Sequence, residues 1–135
     1  MSRFRLGAWS TVAAWVLTIF ILSSLSGSQV EHLNVFRLWD KAAHFIAFAG
    51  GGFVLGLALR VSTAWSPKKV TLVTIAVISL FGATDEWHQL YTPQRSGADR
   101  ADWLADTFGA AVGALLIASI YARYQRKDCP APPSD

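Results

Sequence analysis

Apolar residues along the chain are concentrated in four blocks, which short polar segments separate. The blocks cover about residues 7–23, 45–59, 70–84 and 107–122. Neither the third nor the fourth block contains a charged residue, so neither has the polar stripe that a helix of a soluble bundle carries. The pattern therefore predicts an all-α integral membrane protein with four transmembrane helices. Three cover about residues 6–25, 40–60 and 69–90, and the fourth runs from about 98 or 101 to 122 or slightly beyond.

Three of these blocks are too short to cross a bilayer by themselves. About 15 or 16 helical residues reach only about 23 Å, whereas the hydrocarbon core is about 30 Å thick. Each span must therefore continue into the charged residues beside its block. This places four ionisable residues at membrane depth, where they should face the bundle interior or a wet cavity rather than lipid. They are His44, Asp85, Glu86 and Asp106.

The basic residues predict how the chain is oriented. The net charge of +3 does not indicate a nucleic-acid partner, because the lysines and arginines gather at the ends of the apolar blocks. The positive-inside rule places eight of the twelve in the cytoplasm, and both chain termini with them. These eight are Arg3, Arg5, Arg60, Lys68, Lys69, Arg123, Arg126 and Lys127. A cleaved signal peptide is the alternative for the first block, but its apolar core exceeds the usual length.

Two further segments, the stretch between the first two helices and the C-terminal tail, complete the domain plan. Residues 24–40 carry apolar side chains, which predict a loop or short helix at the outer membrane interface. Residues 1–128 form one four-helix domain, and residues 129–135, with the single Cys129, form a disordered cytoplasmic tail. The lipid bilayer is the partner that follows from this plan, and a homo-oligomer is possible.

The acidic residues are distributed very unevenly in this topology. Seven of the nine fall on the outer side, beside Lys41, His44, Gln89 and Arg95. Helical spacing puts Asp102, Asp106, Gly109 and Gly113 on one face of the fourth helix, and Asp99 joins them if that helix begins early enough. The pairs Gly52/Gly56 and Gly109/Gly113 have the GxxxG spacing of close helix packing. We expect three helices to point polar groups into one outward-opening pocket.

At these residues the chain resembles the VanZ-like family of small bacterial membrane proteins. The resemblance rests on DKAAHF at residues 40–45, DEWHQ at 85–89 and PQRSGADRADWLADTFGAAVG at 93–113. The family pattern falls on Asp40, Lys41, His44, Glu86, Gln89, Arg95, Asp99, Asp102, Gly109 and Gly113. Two positions depart from it: Asp106 stands where Asn is frequent, and Gln94 interrupts the usual Pro-Gly-Arg turn. The resemblance implies a multi-pass protein of the bacterial cytoplasmic membrane and carries an association with teicoplanin resistance.

Several functions remain open at this point. The pocket is expected to bind an anionic envelope lipid or lipid-linked cell-wall precursor, with Lys41 and Arg95 meeting the anionic group. Asp40, Gln89, Asp99 and Asp106 complete the binding set. If the protein is an enzyme, His44, Glu86 or Asp102 would supply acid–base chemistry.

Three alternatives to lipid binding also fit the residues. A metal-dependent enzyme would draw Mg²⁺, Mn²⁺ or Zn²⁺ ligands from five residues, although their spacing matches no closed metal motif and identifies no cofactor. The five are Asp85, His88, Asp99, Asp102 and Asp106. A non-catalytic scaffold would use the same charges as a buried ion-pair network without a cavity. A small transporter is weaker, because no polar track continues through the inner halves of the third and fourth helices.

Overall fold

The computed structural model describes residues 2–33 and 39–127, without the side chains of residues 125–127. Within these ranges the chain forms five α-helices and no strand. They are α1 (Arg3–Ser24), α2 (Gly27–Leu33), α3 (Asp40–Ser62), α4 (Pro67–Gln89) and α5 (Arg100–Lys127). All except α2 are long and apolar enough to cross a membrane. The predicted all-α fold with four spans is confirmed, while the side on which the termini lie stays a prediction.

Helix lengths agree with the expectation that each span includes its charged end. The four long helices contain 22, 23, 23 and 28 residues, or about 33 to 42 Å at 1.5 Å per residue. Helix α3 begins at Asp40 and α4 ends at Gln89, so their ionisable residues lie on helical turns rather than in loops. Helix α5 begins at Arg100, between the two predicted starts at residues 98 and 101, and ends at Lys127, a few residues past residue 122.

Local chemistry explains where the helices start. Ser66 precedes α4, and its hydroxyl accepts a hydrogen bond from the Lys69 amide at 3.3 Å. Pro67 occupies the first turn, where its missing N–H costs nothing. Ser2 caps α1 in the same way, accepting from the Arg5 amide at 3.4 Å.

Helix α3 is the centre of the bundle and packs most extensively against α5, with α1 and α4 on its other faces. Glycines permit the close approach of α3 and α5. A methyl group added to Gly52 would collide with the Ala110 backbone, and one on Gly109 or Gly113 would collide with the carbonyl of Phe45 or Ala49. Gly56 faces the Ile117 side chain. The two GxxxG pairs therefore lie at one helix–helix contact.

An aromatic group fills the core between α1, α3 and α4. Phe48 is 2% exposed and lies edge-on to Trp15, which also contacts Phe81. The Trp15 indole donates to the Ala47 carbonyl at 2.9 Å, so its polar atom is satisfied. The outer surface carries exposed Leu80 and Phe108. Such a surface suits lipid and would be an aggregation liability in water.

The predicted outer segment between the first two spans is partly described. Its first half is the short helix α2, which includes the apolar Val30. Three other apolar residues of this segment, Val35, Phe36 and Leu38, lie outside the described residues, as does the predicted disordered tail at 129–135.

Candidate functional site

The ionisable residues of the three spans meet at one end of the bundle. This polar end consists of the first two turns of α3 and of α5, the last turn of α4 and the loop of residues 90–99. The C-terminus of α1 also reaches it, because the Thr92 hydroxyl donates to the Ser23 carbonyl at 3.2 Å. Its side chains divide into three connected groups.

The first group ties α3 to α5 through Lys41. The ammonium Nζ lies 2.7 Å from Oδ1 of Asp102 and 3.2 Å from Oδ2 of Asp99. Asp102 is 1% exposed, so Lys41 supplies the counter-charge that a buried carboxylate requires. Asp99 also caps α5, since its Oδ1 accepts from the Ala101 amide at 2.8 Å. That amide first, and the Lys41 ammonium second, hold the pKa of Asp99 below its ordinary value.

The second group contributes one residue from each of three helices. Nδ1 of His44 (α3) donates to Oδ1 of Asp106 (α5) at 2.9 Å and lies 4.0 Å from Oε1 of Glu86 (α4). His44, Asp106 and Glu86 are 8%, 0% and 3% exposed, respectively. Oε1 of Glu86 and Oδ2 of Asp106 are buried without a hydrogen-bond partner among the described residues. Gly82 makes room for Asp106, since a methyl group there would come within 2.8 Å of Oδ2.

The third group extends from α4 into the loop. Gln89 donates from Nε2 to Oδ2 of Asp85 at 2.9 Å, and its Oε1 accepts from Nε of Arg95 at 3.3 Å. Asp85 and Gln89 are buried, whereas Arg95 is half-buried. The amide of Gln89 thus links a buried carboxylate to a guanidinium near the surface.

The loop that carries Arg95 is held in an unusual conformation. Gln94 and Ala98 have φ of 59° and 58°, a left-handed region that costs a residue with a side chain about 1 kcal/mol or more. Tertiary hydrogen bonds hold this conformation. Glu86 accepts from the Ala98 amide through its carbonyl at 3.0 Å and from the Asp99 amide through Oε2 at 2.8 Å. The Gly27 amide at the start of α2 donates to the Pro93 carbonyl at 3.1 Å.

A cavity of about 150 Å³ opens beside the second and third groups. Its walls are mainly apolar and come from α1, α2 and α3, with a few polar side chains among them. The apolar members are Ile19, Leu22, Val30, Leu33, Ala43, Ala47 and Phe48, and the polar members are Ser23, Asp40, His44, Asp85, Gln89 and Arg95. A second, more polar cavity of about 250 Å³ shares Val30, Asp40, Gln89 and Arg95 with it. The two form an apolar chamber with a polar mouth.

The structure brings most of the predicted site residues to the same end of the bundle but places them in separate groups. Lys41, Asp99 and Asp102 form one ion-paired group, whereas Arg95 and Gln89 line the cavity. Asp40 belongs to both regions, because it lines the cavity and offers a ligand atom within 4.8 Å of Asp102. His44 likewise connects α5 to the cavity, because it bonds Asp106 and also lines the cavity. Of the five residues expected to bind the anion or supply acid–base chemistry, Lys41 contacts Asp102 and His44 lies 4.0 Å from Glu86, whereas Arg95 contacts Gln89.

Three of the five predicted metal ligands, Asp85, His88 and Asp99, belong to neither group of clustered ligand atoms among the described residues. His88 turns toward α1, where its Nε2 lies 3.1 Å from the Ser24 hydroxyl and its ring packs on Phe20. The residues whose ligand atoms cluster are instead His44, Glu86 and Asp106, or Asp40, His44 and Asp102. The spacing of residues along α4 did not by itself show that Glu86 and His88 face different neighbouring helices.

Sequence reasoning also missed the contribution of α1 and α2 to the cavity. Ser23, at the end of the first apolar block, is 3% exposed, and its hydroxyl has no hydrogen-bond partner in the described part of the chain. Val30 of α2 lines both cavities. The signal was slight, namely a pair of small polar residues ending a long apolar block.

Comparison with known protein families covers nearly all of the residues described above. A family model described as VanZ/LLP1 matches residues 5–121, which include nearly all of α1 and all the residues of the polar end. No curated protein and no solved structure gave a match. Because the family match covers most of the chain, the protein is a multi-pass membrane protein that belongs to the VanZ/LLP1 family.

Proposed function

We propose that the protein binds an anionic, amphipathic lipid of the bacterial cell envelope, such as a lipid-linked cell-wall precursor, in the cavity of its polar end. The observation that carries this proposal is the shape and chemistry of the cavity. An apolar chamber bounded by α1 and α3 leads into a polar mouth that holds a half-buried arginine. Ligand sites commonly combine apolar walls with a few placed polar groups in this way.

Arg95 is the residue best suited to receive the anionic group. Its guanidinium has five N–H donors, and the contact to Gln89 uses one of them. A phosphate could then be bound by two parallel hydrogen bonds, the geometry that favours Arg over Lys. Lys41 is less suited than the sequence suggested, because two carboxylates already neutralise its charge.

The apolar part of the lipid would lie along α1 and α3. Ile19, Ala43 and Ala47 present small or aliphatic side chains to the chamber, and Phe48 lies among the wall residues deepest in the core. An acyl or isoprenoid segment would enter the chamber from the bilayer, so it would be held by van der Waals packing against these walls and by its anchored headgroup rather than by removal from water.

If the bound lipid reacts, His44 is the best candidate for acid–base chemistry. It lines the cavity, Asp106 orients its ring through Nδ1, and Glu86 lies 4.0 Å from the same nitrogen. A carboxylate that holds a histidine in one orientation is a recurrent element of such sites. Asp102, also considered for this role, is bound by Lys41 and would act by positioning α5.

The proposed setting is the outer leaflet of the bacterial cytoplasmic membrane. The opposite end of the bundle carries Arg3, Arg5, Arg60, Lys68 and Lys69, and the positive-inside rule assigns that end to the cytoplasm. The polar end would then face outward, where lipid-linked wall precursors are consumed. Binding such a precursor offers a route to altered teicoplanin susceptibility, since glycopeptides act on the same material.

A second candidate function, that of a non-catalytic scaffold, is favoured by one observation. Lys41 bridges Asp99 and Asp102, and this ion-pair network alone would lock α3 against α5. The cavity beside His44 is not required by a scaffold, and for this reason lipid binding is the preferred function.

Native mass spectrometry of co-purifying lipids tests the proposal. We expect an anionic lipid to accompany the wild-type protein, and Arg95→Gln to reduce its occupancy about tenfold or more, because a charged hydrogen bond is lost. Arg100→Gln is the matched control, since it removes an exposed arginine from the same end of the bundle. An identical lipid set in all three proteins would support the scaffold instead.

A further inference from the structure

We propose that His44, Glu86 and Asp106 form a binding site for one divalent cation of the Zn²⁺ or Mn²⁺ class. Metal binding here goes beyond the proposed function, because three side chains suffice for it whether or not a lipid occupies the cavity. One ligand would come from each of α3, α4 and α5, through Nδ1 of His44 and a carboxylate oxygen of Glu86 and of Asp106.

The distances between the ligand atoms fit a shared ion. The three residues offer ligand atoms that all lie within 4.8 Å of one another. Ligands at about 2.1 Å from a tetrahedral Zn²⁺ are separated by about 3.4 Å. The distances from His44 Nδ1 to Asp106 and Glu86, 2.9 and 4.0 Å, lie on either side of that value. Rotations of a few side-chain dihedral angles would therefore admit the ion without moving a helix.

Two oxygens of the group also lack the partners that buried polar atoms normally have. Oε1 of Glu86 and Oδ2 of Asp106 have no hydrogen-bond partner among the described residues, although both atoms are inaccessible to solvent. Unsatisfied buried oxygens of this kind call for an ion, a proton or an unseen water. Glu86 Oε1 points toward His44 Nδ1, so an ion between them would satisfy it directly.

The neighbouring carboxylates are poorer candidates for metal binding. Asp99 and Asp102 are already paired with Lys41, and a divalent cation would have to displace that ammonium. The alternative group of Asp40, His44 and Asp102 shares His44 but includes an exposed carboxylate. The buried group thus has both the unpartnered oxygens and the more protected position.

The surroundings hold the three ligands in place, as those of metal sites usually do. The Asp99 amide binds the second oxygen of Glu86 at 2.8 Å and fixes the orientation of that carboxylate. Gly82 allows Asp106 to approach α4, and Gly109 brings α5 against the backbone of α3. Substitution of either glycine would change the separation of the helices that carry the ligands.

The donor set selects the class of metal. One imidazole and two carboxylates suit Zn²⁺ or Mn²⁺ better than Ca²⁺, which takes six to eight oxygen ligands. Three protein ligands leave at least one coordination position for water or an oxygen of a bound molecule, as in catalytic rather than structural zinc sites. His44 also lines the cavity, so the open position is close to the proposed lipid site.

Metal titration of the purified full-length protein tests the site. The protein is stripped with a chelator in detergent and titrated with Zn²⁺ or Mn²⁺ alone, and bound metal is counted by elemental mass spectrometry. We expect one equivalent in the wild type and at least tenfold weaker binding in Asp106→Asn and Glu86→Gln. His88→Gln is the matched control, since it removes a histidine at the same end that lies outside the group, and it should bind like the wild type.

A second measurement and the outcomes of both decide whether the metal site exists. Co²⁺ added to the wild type should give d–d absorption bands of a nitrogen- and oxygen-ligated site, a readout that needs no variant to fold. Less than a stoichiometric amount of bound metal in the wild type, or equal loss in His88→Gln and Asp106→Asn, would overturn the proposal. A metal-free wild type that still retains its lipid would reject the ion site and leave lipid binding intact.

Discussion

At the scale of single residues, Lys41 shows how the surroundings decide what a charged side chain does. The sequence predicted it as a ligand for an anionic group. In the folded chain its ammonium contacts two carboxylates of the α5 N-terminus, one of which is almost fully buried. A buried carboxylate without a counter-charge is strongly destabilising, so the main consequence of Lys41 is to keep Asp102 paired.

Replacement of Lys41 by methionine should therefore lower thermal stability in detergent. The substitution keeps the aliphatic stem but leaves Asp102 without a cation, whereas Lys68→Met removes an exposed lysine at the opposite end and should have little effect. Differential scanning fluorimetry of both variants measures the contrast. In the double variant Lys41→Met, Asp102→Asn the loss should be partly recovered. A double variant less stable than Lys41→Met would show that the pair is not the cause.

At the scale of secondary-structure elements, the contact between α3 and α5 determines the position of the polar groups. Gly109 and Gly113 bring the α5 backbone against the carbonyls of Phe45 and Ala49. Asp102 and Asp106 occupy the two turns above these glycines, on the side that faces α3. Close packing at the glycines and ion pairing at the carboxylates therefore set the same helix register.

Gly113→Ala should destabilise the bundle by about 1 to 3 kcal/mol, the usual range for an overpacked interior. Its added methyl group would collide with a carbonyl of α3, which cannot move aside as a flexible side chain can. Gly50→Ala is the matched control on α3, because the nearest atoms there are 3.9 Å away and belong to Trp15. Unfolding in a denaturing detergent measures both, and equal stability would show that α3 and α5 do not approach this closely in the membrane.

At the scale of the whole molecule, the polar end lies within the bundle rather than on top of it. Asp106 is six residues after the start of α5, or about 9 Å along the helix axis. His44 is four residues into α3, and Glu86 is three residues before the end of α4. The chain thus combines a lipid-facing surface with a buried polar network, the arrangement in which intramembrane ionisable residues are tolerated.

The predicted orientation can be measured by cysteine labelling of intact cells. In a Cys129→Ser background, Ser96→Cys in the loop of the polar end should react with a membrane-impermeant maleimide added outside. Ser66→Cys, between α3 and α4, should react only after the membrane is permeabilised. Both positions are exposed, so access to the reagent rather than burial determines labelling. Reaction of Ser66→Cys in intact cells would place the polar end in the cytoplasm and exclude the outer-leaflet proposal.

The fold was predictable because the pattern that specifies it lies along the chain and needs no contact between distant segments. Runs of apolar residues and the 1.5 Å rise of a helix are sufficient to identify four spans, and the shortfall of three blocks already implied that His44, Glu86 and Asp106 lie inside the bundle. The spacing of Asp102, Asp106, Gly109 and Gly113 likewise defined one face of α5. These are properties of single helices, and the order of residues along each helix is sufficient to predict them.

Only the tertiary structure decided how the faces of different helices combine. It paired Lys41 with Asp102 rather than with a ligand, turned His88 toward α1, and placed Ser23 and Val30 in the wall of a cavity. Charged residues near one another in a membrane protein have several possible partners of similar energy. The choice among them depends on helix separation and rotation, which arise from glycine contacts and core packing between segments distant in the chain. The sequence by itself thus determined four membrane helices with one polar end, and the packing of those helices determined which polar groups meet.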